Sequence, residues 1–294
     1  RLGALIAPSA IGSNIDVMFG ISGCLGEMAE LSRSPRRRAI PPAQGCRAAK
    51  SGLEPVIAAQ RSTGMPYWLH LISIASLAIA FACAVGLAVD VALHPQKMWI
   101  MNLVWPLSAL FSSFLTLAFY LAYGRATGNR ARKEKPFPAS VASGALHCGS
   151  GCTLGDICAE WLAFFLPAVA VAFGAGWLFT NKIFAIWIVD YIFAFAFGIL
   201  FQYFTIAPMR DLSVGEGLVA AIKADALSLT SWQVGMYGFM AFAKFYLFAN
   251  VLGAELRVDS PEFWFMMQIA MLCGFATAYP VNWYLIRAGL KEKM

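Results

Sequence analysis

"ALHCGSGCTLGDICAEW", residues 145–161, sets His147, Cys148, Cys152, Asp156 and Glu160 among three glycines, just ahead of a strongly apolar run. The glycines predict a turn, after which Thr153 can cap a helix and Asp156 can occupy its first turn, where the helix dipole favours negative charge. The apolar run behind it, roughly 157–178, is long enough to cross about 30 Å of hydrocarbon as a helix. On this reading the stretch is the mouth of a membrane span.

The surroundings support a bilayer as solvent. Of 294 residues, 60% are hydrophobic and only 13% charged, and the mean hydropathy is +0.66. Soluble domains carry about a quarter charged residues. Further apolar runs of spanning length fall at about 67–91, 98–123, 183–206, 231–251 and 263–286. The expected fold is therefore an all-α, polytopic membrane bundle with six transmembrane helices.

Basic residues predict the orientation. With a cytoplasmic N-terminus, 18 of the 22 Lys and Arg fall inside and three outside, with Lys244 within the fifth span. That asymmetry places both termini in the cytoplasm and the chain in an inner membrane. The net charge of +6 then reflects topology and anionic lipid, with no nucleic-acid partner required.

The chain divides by composition. Residues 1–64 mix Ala, Gly, Ser, Pro and Arg without a span, and predict a segment that is disordered or foreign to the functional unit, with Met65 a natural start. Residues 65–124 form a two-span hairpin, 125–143 a basic cytoplasmic linker, and 144–294 a four-span domain opened by the quoted motif. In "DLSVGEGLVAAIKADALS", Ser213 and Glu216 fit a capping box, and the segment predicts a short interfacial helix.

"HCGSGCTLGDICAEW", "FGILFQYFTIAPMR", "KADALSLTSWQVGMYGFMA", "EFWFMMQIAMLCGF" and "YPVNWYLIRAGLKEKM" together resemble a bacterial membrane family, domain of unknown function 4396. The resemblance covers about residues 144–294, and "HPQKMWIMNLVWP" resembles the hairpin that often precedes it. It implies a compact polytopic domain, sometimes found beside or fused to copper-type modules, and no established activity.

The motif's chemistry follows from spacing. Cys148, Cys152 and Asp156 are four apart and share a helical face, which Glu160 continues. His147 adjoins them, so two thiolates, one imidazole and one carboxylate could form a four-ligand site for copper or zinc. The same residues could instead only cap a helix. Cys-x3-Cys differs from the usual structural-zinc spacings.

Within the spans, Asp190 and Lys244 match in depth and could form an ion pair; the alternative is that Lys244 snorkels outward and Asp190 bonds a neighbouring Tyr or Gln. Met236 and Met240, and Met267 and Met271, are spaced by four, near Gln268. Glu160, Asp190, Lys244, Met267, Gln268 and Met271 thus outline an intramembrane polar path. Asp90 and His94, spaced by four, could bind a metal weakly, but an interface role is the favoured expectation.

No nucleotide loop, dinucleotide motif, HExxH, G-x-S-x-G or haem site appears in the sequence, so catalysis is not the favoured expectation. The leading expectation is transport or delivery of a soft metal such as copper, with a copper-handling or other membrane protein as partner. The alternative is a non-catalytic scaffold.

Overall fold

A computed structural model describes residues 65–96, 98–125, 135–210 and 212–293. The expectation for residues 1–64 lies outside them. The elements are helical: α1 Tyr67–Leu93, α2 Met101–Phe119 extended by a π-helical turn Tyr120–Gly124, α3 Phe137–Phe165, α4 Pro167–Ala172, α5 Lys182–Arg210, α6 Val214–Ala241 extended by a π-helix Phe242–Leu252, and α7 Pro261–Arg287. Five segments are long and apolar enough to cross a membrane: Tyr67–Leu93, Met101–Gly124, Lys182–Ala207, Val214–Leu252 and Pro261–Arg287. They mark a multi-pass membrane protein.

Side-chain contacts give the directions. His70 Nδ1 meets Glu262 Oε1 at 2.6 Å and Ser76 Oγ donates to Gln268 Oε1 at 2.7 Å, so α1 and α7 run parallel. The rings of Phe137 and Trp283 lie 4.8 Å apart and those of Trp161 and Trp264 lie 6.0 Å apart, so α3 runs antiparallel to α7. Trp187 stacks on Tyr237 at 4.7 Å and Tyr191 bonds Thr230 at 2.9 Å, which sets α5 and α6 antiparallel. We call the end of the bundle where α1 starts the upper end and the opposite one the lower.

Met101–Gly124 does not run straight. In a continuous helix Trp105 and Tyr120 would stand about 22 Å apart at 1.5 Å per residue. Their ring centroids are 5.2 Å apart, and a Cβ on Gly124 would lie 2.6 Å from Trp105 Cζ2. The backbone reverses at Ser113, whose φ of 44° and ψ of −117° break the helix. The segment is a hairpin that enters from the lower end and returns there. Arg125 closes it with a bond to Asp90 at 2.8 Å, joined by Tyr120 Oη to Asp90 at 2.7 Å. Asp90 and His94, for which an interface role was favoured over weak metal binding, are thus held in a hairpin clasp with His94 at 3.2 Å.

This fold-back changes the topology. α1 and α7 are parallel, so Met65 and the last described residue lie at opposite ends of the bundle. The second apolar run turns back at Ser113; the expectation for the N-terminus itself falls outside the described residues.

The third expected span, 157–178, is not one helix either. α3 begins at Phe137, behind Pro136, and ends at Leu166, where Pro167 cannot continue the ladder. Gly174 and Gly176, at φ of 109° and 85°, then turn the chain toward α5. The sixth long helix is therefore Phe137–Phe165, whose polar residues keep it out of the apolar set. The linker expected to reach residue 143 ends at Pro136. The expected interfacial helix is the first half of α6, and Glu216 accepts bonds from Ser213 Oγ and N as the capping box predicted.

Candidate functional site

α3 is the central helix. His147, Cys148, Cys152, Asp156 and Glu160 are all buried along its middle, between Ala145 and Ala163. The motif therefore lies inside the helix and not at its start. Thr153 caps nothing; its hydroxyl donates to Gly149 O at 2.8 Å, one turn back. The helix N-terminus, two turns or more away, cannot activate the thiols.

The glycines act in packing. A Cβ on Gly155 would lie 2.4 Å from Ala194 N, and one on Gly151 would lie 2.8 Å from Gly198 Cα. Gly151-x3-Gly155 on α3 thus meets Ala194-x3-Gly198 on α5 backbone to backbone, the small-residue contact by which membrane helices approach closely. That spacing was available in the sequence, where the glycines read as turn-formers.

Such close packing aims the polar side chains at different neighbours. His147 Nε2 lies 3.0 Å from Thr205 Oγ1 on α5. The Thr205 hydroxyl donates to Phe201 O, so it accepts from the imidazole, and His147 Nδ1 has no partner among the described residues. Cys148 Sγ instead faces α6, accepting from Ser228 Oγ at 3.3 Å. Cys152 lies one turn on, within hydrogen-bonding reach of Cys148. Asp156 Oδ1 takes Gln233 Nε2 at 3.4 Å, and its Oδ2 has no partner among the described residues. His147, Cys148, Cys152 and Asp156 are therefore not gathered round one point. Among the described residues no group of three or more His, Cys, Asp or Glu could hold a metal ion.

Other expectations shift similarly. Asp190 is fully buried, and among the described residues neither of its oxygens has a partner and no Asp190–Lys244 pair forms. Lys244 instead lines an upper cavity of about 300 Å³ with Glu160, Lys182, Glu255 and Arg257. At its rim Arg257 and Asp259 pair at 2.8 Å, and that bond holds the Asp259 carboxyl below its ordinary value and the guanidinium above its own. Gln268 joins Ser76 to Leu110 O, at 2.7 Å each. Met271 Sδ accepts from Trp232 Nε1 at 3.3 Å, and with Met267 it packs in the core.

A second buried cluster was missed by reading the sequence. Lys291 Nζ bonds Asp225 Oδ1 at 2.6 Å and Asn282 Oδ1 at 2.7 Å. Asn282 Nδ2 donates to Ser228 Oγ at 2.6 Å, and that hydroxyl donates to Cys148. Lys291 reaches inward because Gly289, at φ 73°, ends α7 in a Schellman turn, with Leu290 N bonded to Leu285 O and Gly289 N to Ile286 O. The signal was the Arg-Ala-Gly-Leu-Lys stretch closing an apolar helix.

The arrangement is a lengthwise polar file in an apolar bundle. From the lower end it runs Lys291 and Asp225, Asn282, Ser228, Cys148, Cys152, Asp156 and Glu160, with Gln233 and Asp190 beside it. Fold and site define a polytopic helical membrane protein with an ionisable core. Within that class, residues 139–291 match the model of Domain of unknown function (DUF4396), just over half the chain. The chain belongs to that family. No curated protein and no solved structure matches it.

Proposed function

We propose that the protein is a membrane transporter in which the α3 file passes protons between the two ends of the bundle. The observation that carries this is the set of buried acids without counter-charges: Asp156 Oδ2 and both Asp190 oxygens have no partner among the described residues. Ionisable groups inside a bilayer are costly and mark ion paths and proton relays. A packing role favours satisfied polar atoms. Glu160 opens the file to the upper cavity, and the Lys291 cluster ends it below.

The test is proton flux into liposomes holding the purified chain and a pH-sensitive dye, under an imposed potential. Wild type should acidify the interior well above empty liposomes. Asp156→Asn and Asp190→Asn should each cut the rate at least tenfold with an unchanged unfolding midpoint. Flux equal to that of empty liposomes, or unaltered in both variants, would leave a scaffold as the reading.

The copper expectation narrows to Cys148 and Cys152, since two buried thiols one turn apart suit a soft monovalent ion. His147 and Asp156 drop from the donor set. In the same preparations, Cu(I) retained at one per chain and lost in the Cys148→Ser/Cys152→Ser variant would favour this second reading, with a copper-handling protein as partner.

We also infer five crossings, α1, α3, α5, α6 and α7, with the α2 hairpin dipping in from the lower end. Among the described residues, Arg125, Lys135, Arg210, Lys223, Arg287, Lys291 and Lys293 belong to lower-end segments; Lys182, Lys244 and Arg257 are upper. Positive residues favour the cytoplasm, so the C-terminal end lies inside and Met65 outside. A single cysteine introduced at Met65 in a background lacking other reactive thiols should label with an impermeant maleimide in intact cells, and one at Lys293 should not. Labelling of both, or the reverse pattern, rejects this topology.

A further inference from the structure

Between α1, the α2 hairpin tip, α3 and α7 lies a second cavity, of about 270 Å³. Phe111, Trp264, Met267 and Met271 line it, and Phe81 at its rim is an exposed side chain on the outer surface of α1. At Phe81 the cavity therefore communicates with the lipid side of the bundle.

Its polar groups are nearly all committed. The Thr153 hydroxyl is spent on Gly149 O. Gln268 uses both amide atoms, accepting from Ser76 and donating to Leu110 O. Asp156 also lines the cavity; it is fully buried, and Oδ2 has no partner. No Lys, Arg or His lines it. Among the described residues lining the cavity, Asp156 is thus the ionisable group and holds the side-chain oxygen with no partner at all, and its chemistry selects the ligand. A carboxylate without a counter-charge in an apolar chamber is complementary to a cation. Aromatic faces and thioethers add to that preference.

We infer that this cavity binds a hydrophobic organic cation arriving from the bilayer, its charge held against Asp156 and its body against Phe111, Trp264, Met267 and Met271. The volume, just below the range of about 300–1,000 Å³ for drug-sized ligands, limits the guest to one ring with a compact ammonium group. This deepens the transport reading by naming what a proton would exchange with, since Asp156 belongs to the file. Binding is read without any proton gradient, so the two proposals fail separately.

The experiment is calorimetric titration of the full chain in detergent with phenyltrimethylammonium, alongside its uncharged isostere tert-butylbenzene. The cation should bind saturably at one site, at least tenfold tighter than the isostere. Asp156→Asn should weaken the cation at least tenfold and leave the isostere unchanged. Leu77→Trp, at the rim and away from the carboxylate, should abolish both. If Asp156→Asn does not fold, the comparison of the two ligands on wild type decides. Equal affinity for both, or cation affinity indifferent to Asp156→Asn, would mean the chamber accepts apolar matter such as an acyl chain, and the proposal fails.

Discussion

Lys291→Ala should destabilise the bundle by about 3–5 kcal/mol, the cost of removing one partner from a buried ion pair. Both side chains of the Lys291–Asp225 pair have 0% exposure. The variant leaves Asp225 uncompensated and Asn282 Oδ1 without its donor, and Asn282 then loses its hold on Ser228. Because solvent does not screen the pair, the loss should be similar at low and high salt. The paired replacement Asp225→Leu/Lys291→Met removes both charges together and should recover most of the loss. Thermal unfolding in detergent measures all three chains. An unfolding midpoint for Lys291→Ala within a degree of wild type would show that the tail is not anchored as described.

Gly155→Val should cost about 3 kcal/mol, at the upper end of overpacking penalties. The added Cβ meets backbone at Ala194 N and Cα, at 2.4 and 2.5 Å, and neither atom can rotate away. α3 and α5 must separate, and the His147–Thr205 bond that spans them should break with the contact. The control is Gly86→Val on α1, where a Cβ meets nothing within 4 Å, and where little change is expected. The same unfolding assay compares the two. Equal effects at both glycines would attribute the loss to helix propensity and not to the helix–helix contact.

Much of the helical content was legible from hydropathy. α1, α5 and α7 fall close to where apolar runs of spanning length place them, because a bilayer demands such runs and loops interrupt them. The Ser213–Glu216 capping box was legible for the same local reason. α3 escaped because its sequence is not apolar: it is shielded from lipid by its neighbours, so selection for hydrophobicity is relaxed and small and polar residues fill it. Its glycines read as a turn since glycine serves turns and close packing alike. Spacing of four was the discriminating feature, together with its match on α5.

The path residues divide in the same way. That Glu160, Asp190 and Lys244 lie within long helices was readable from the sequence; that Asp190 and Lys244 do not meet was not. Depth along a helix follows from counting residues, whereas the angular direction of a side chain depends on which helices surround it. Likewise, the shared face of Cys148, Cys152 and Asp156 follows from helical periodicity, but the departure of His147 toward α5 depends on Thr205, 58 residues away.

By itself, then, the sequence determined that the chain is a membrane protein, that most of its long helices lie where they do, that it belongs to this family, and that one polar row runs through an apolar segment. Those properties depend on composition and on periodicity within a single helix. Only the tertiary structure decided that α2 folds back at Ser113, that the ends of the described chain lie on opposite sides, and that Lys291 returns to bury itself against Asp225. Each of those depends on a contact between residues distant in sequence, and no local pattern records the partner.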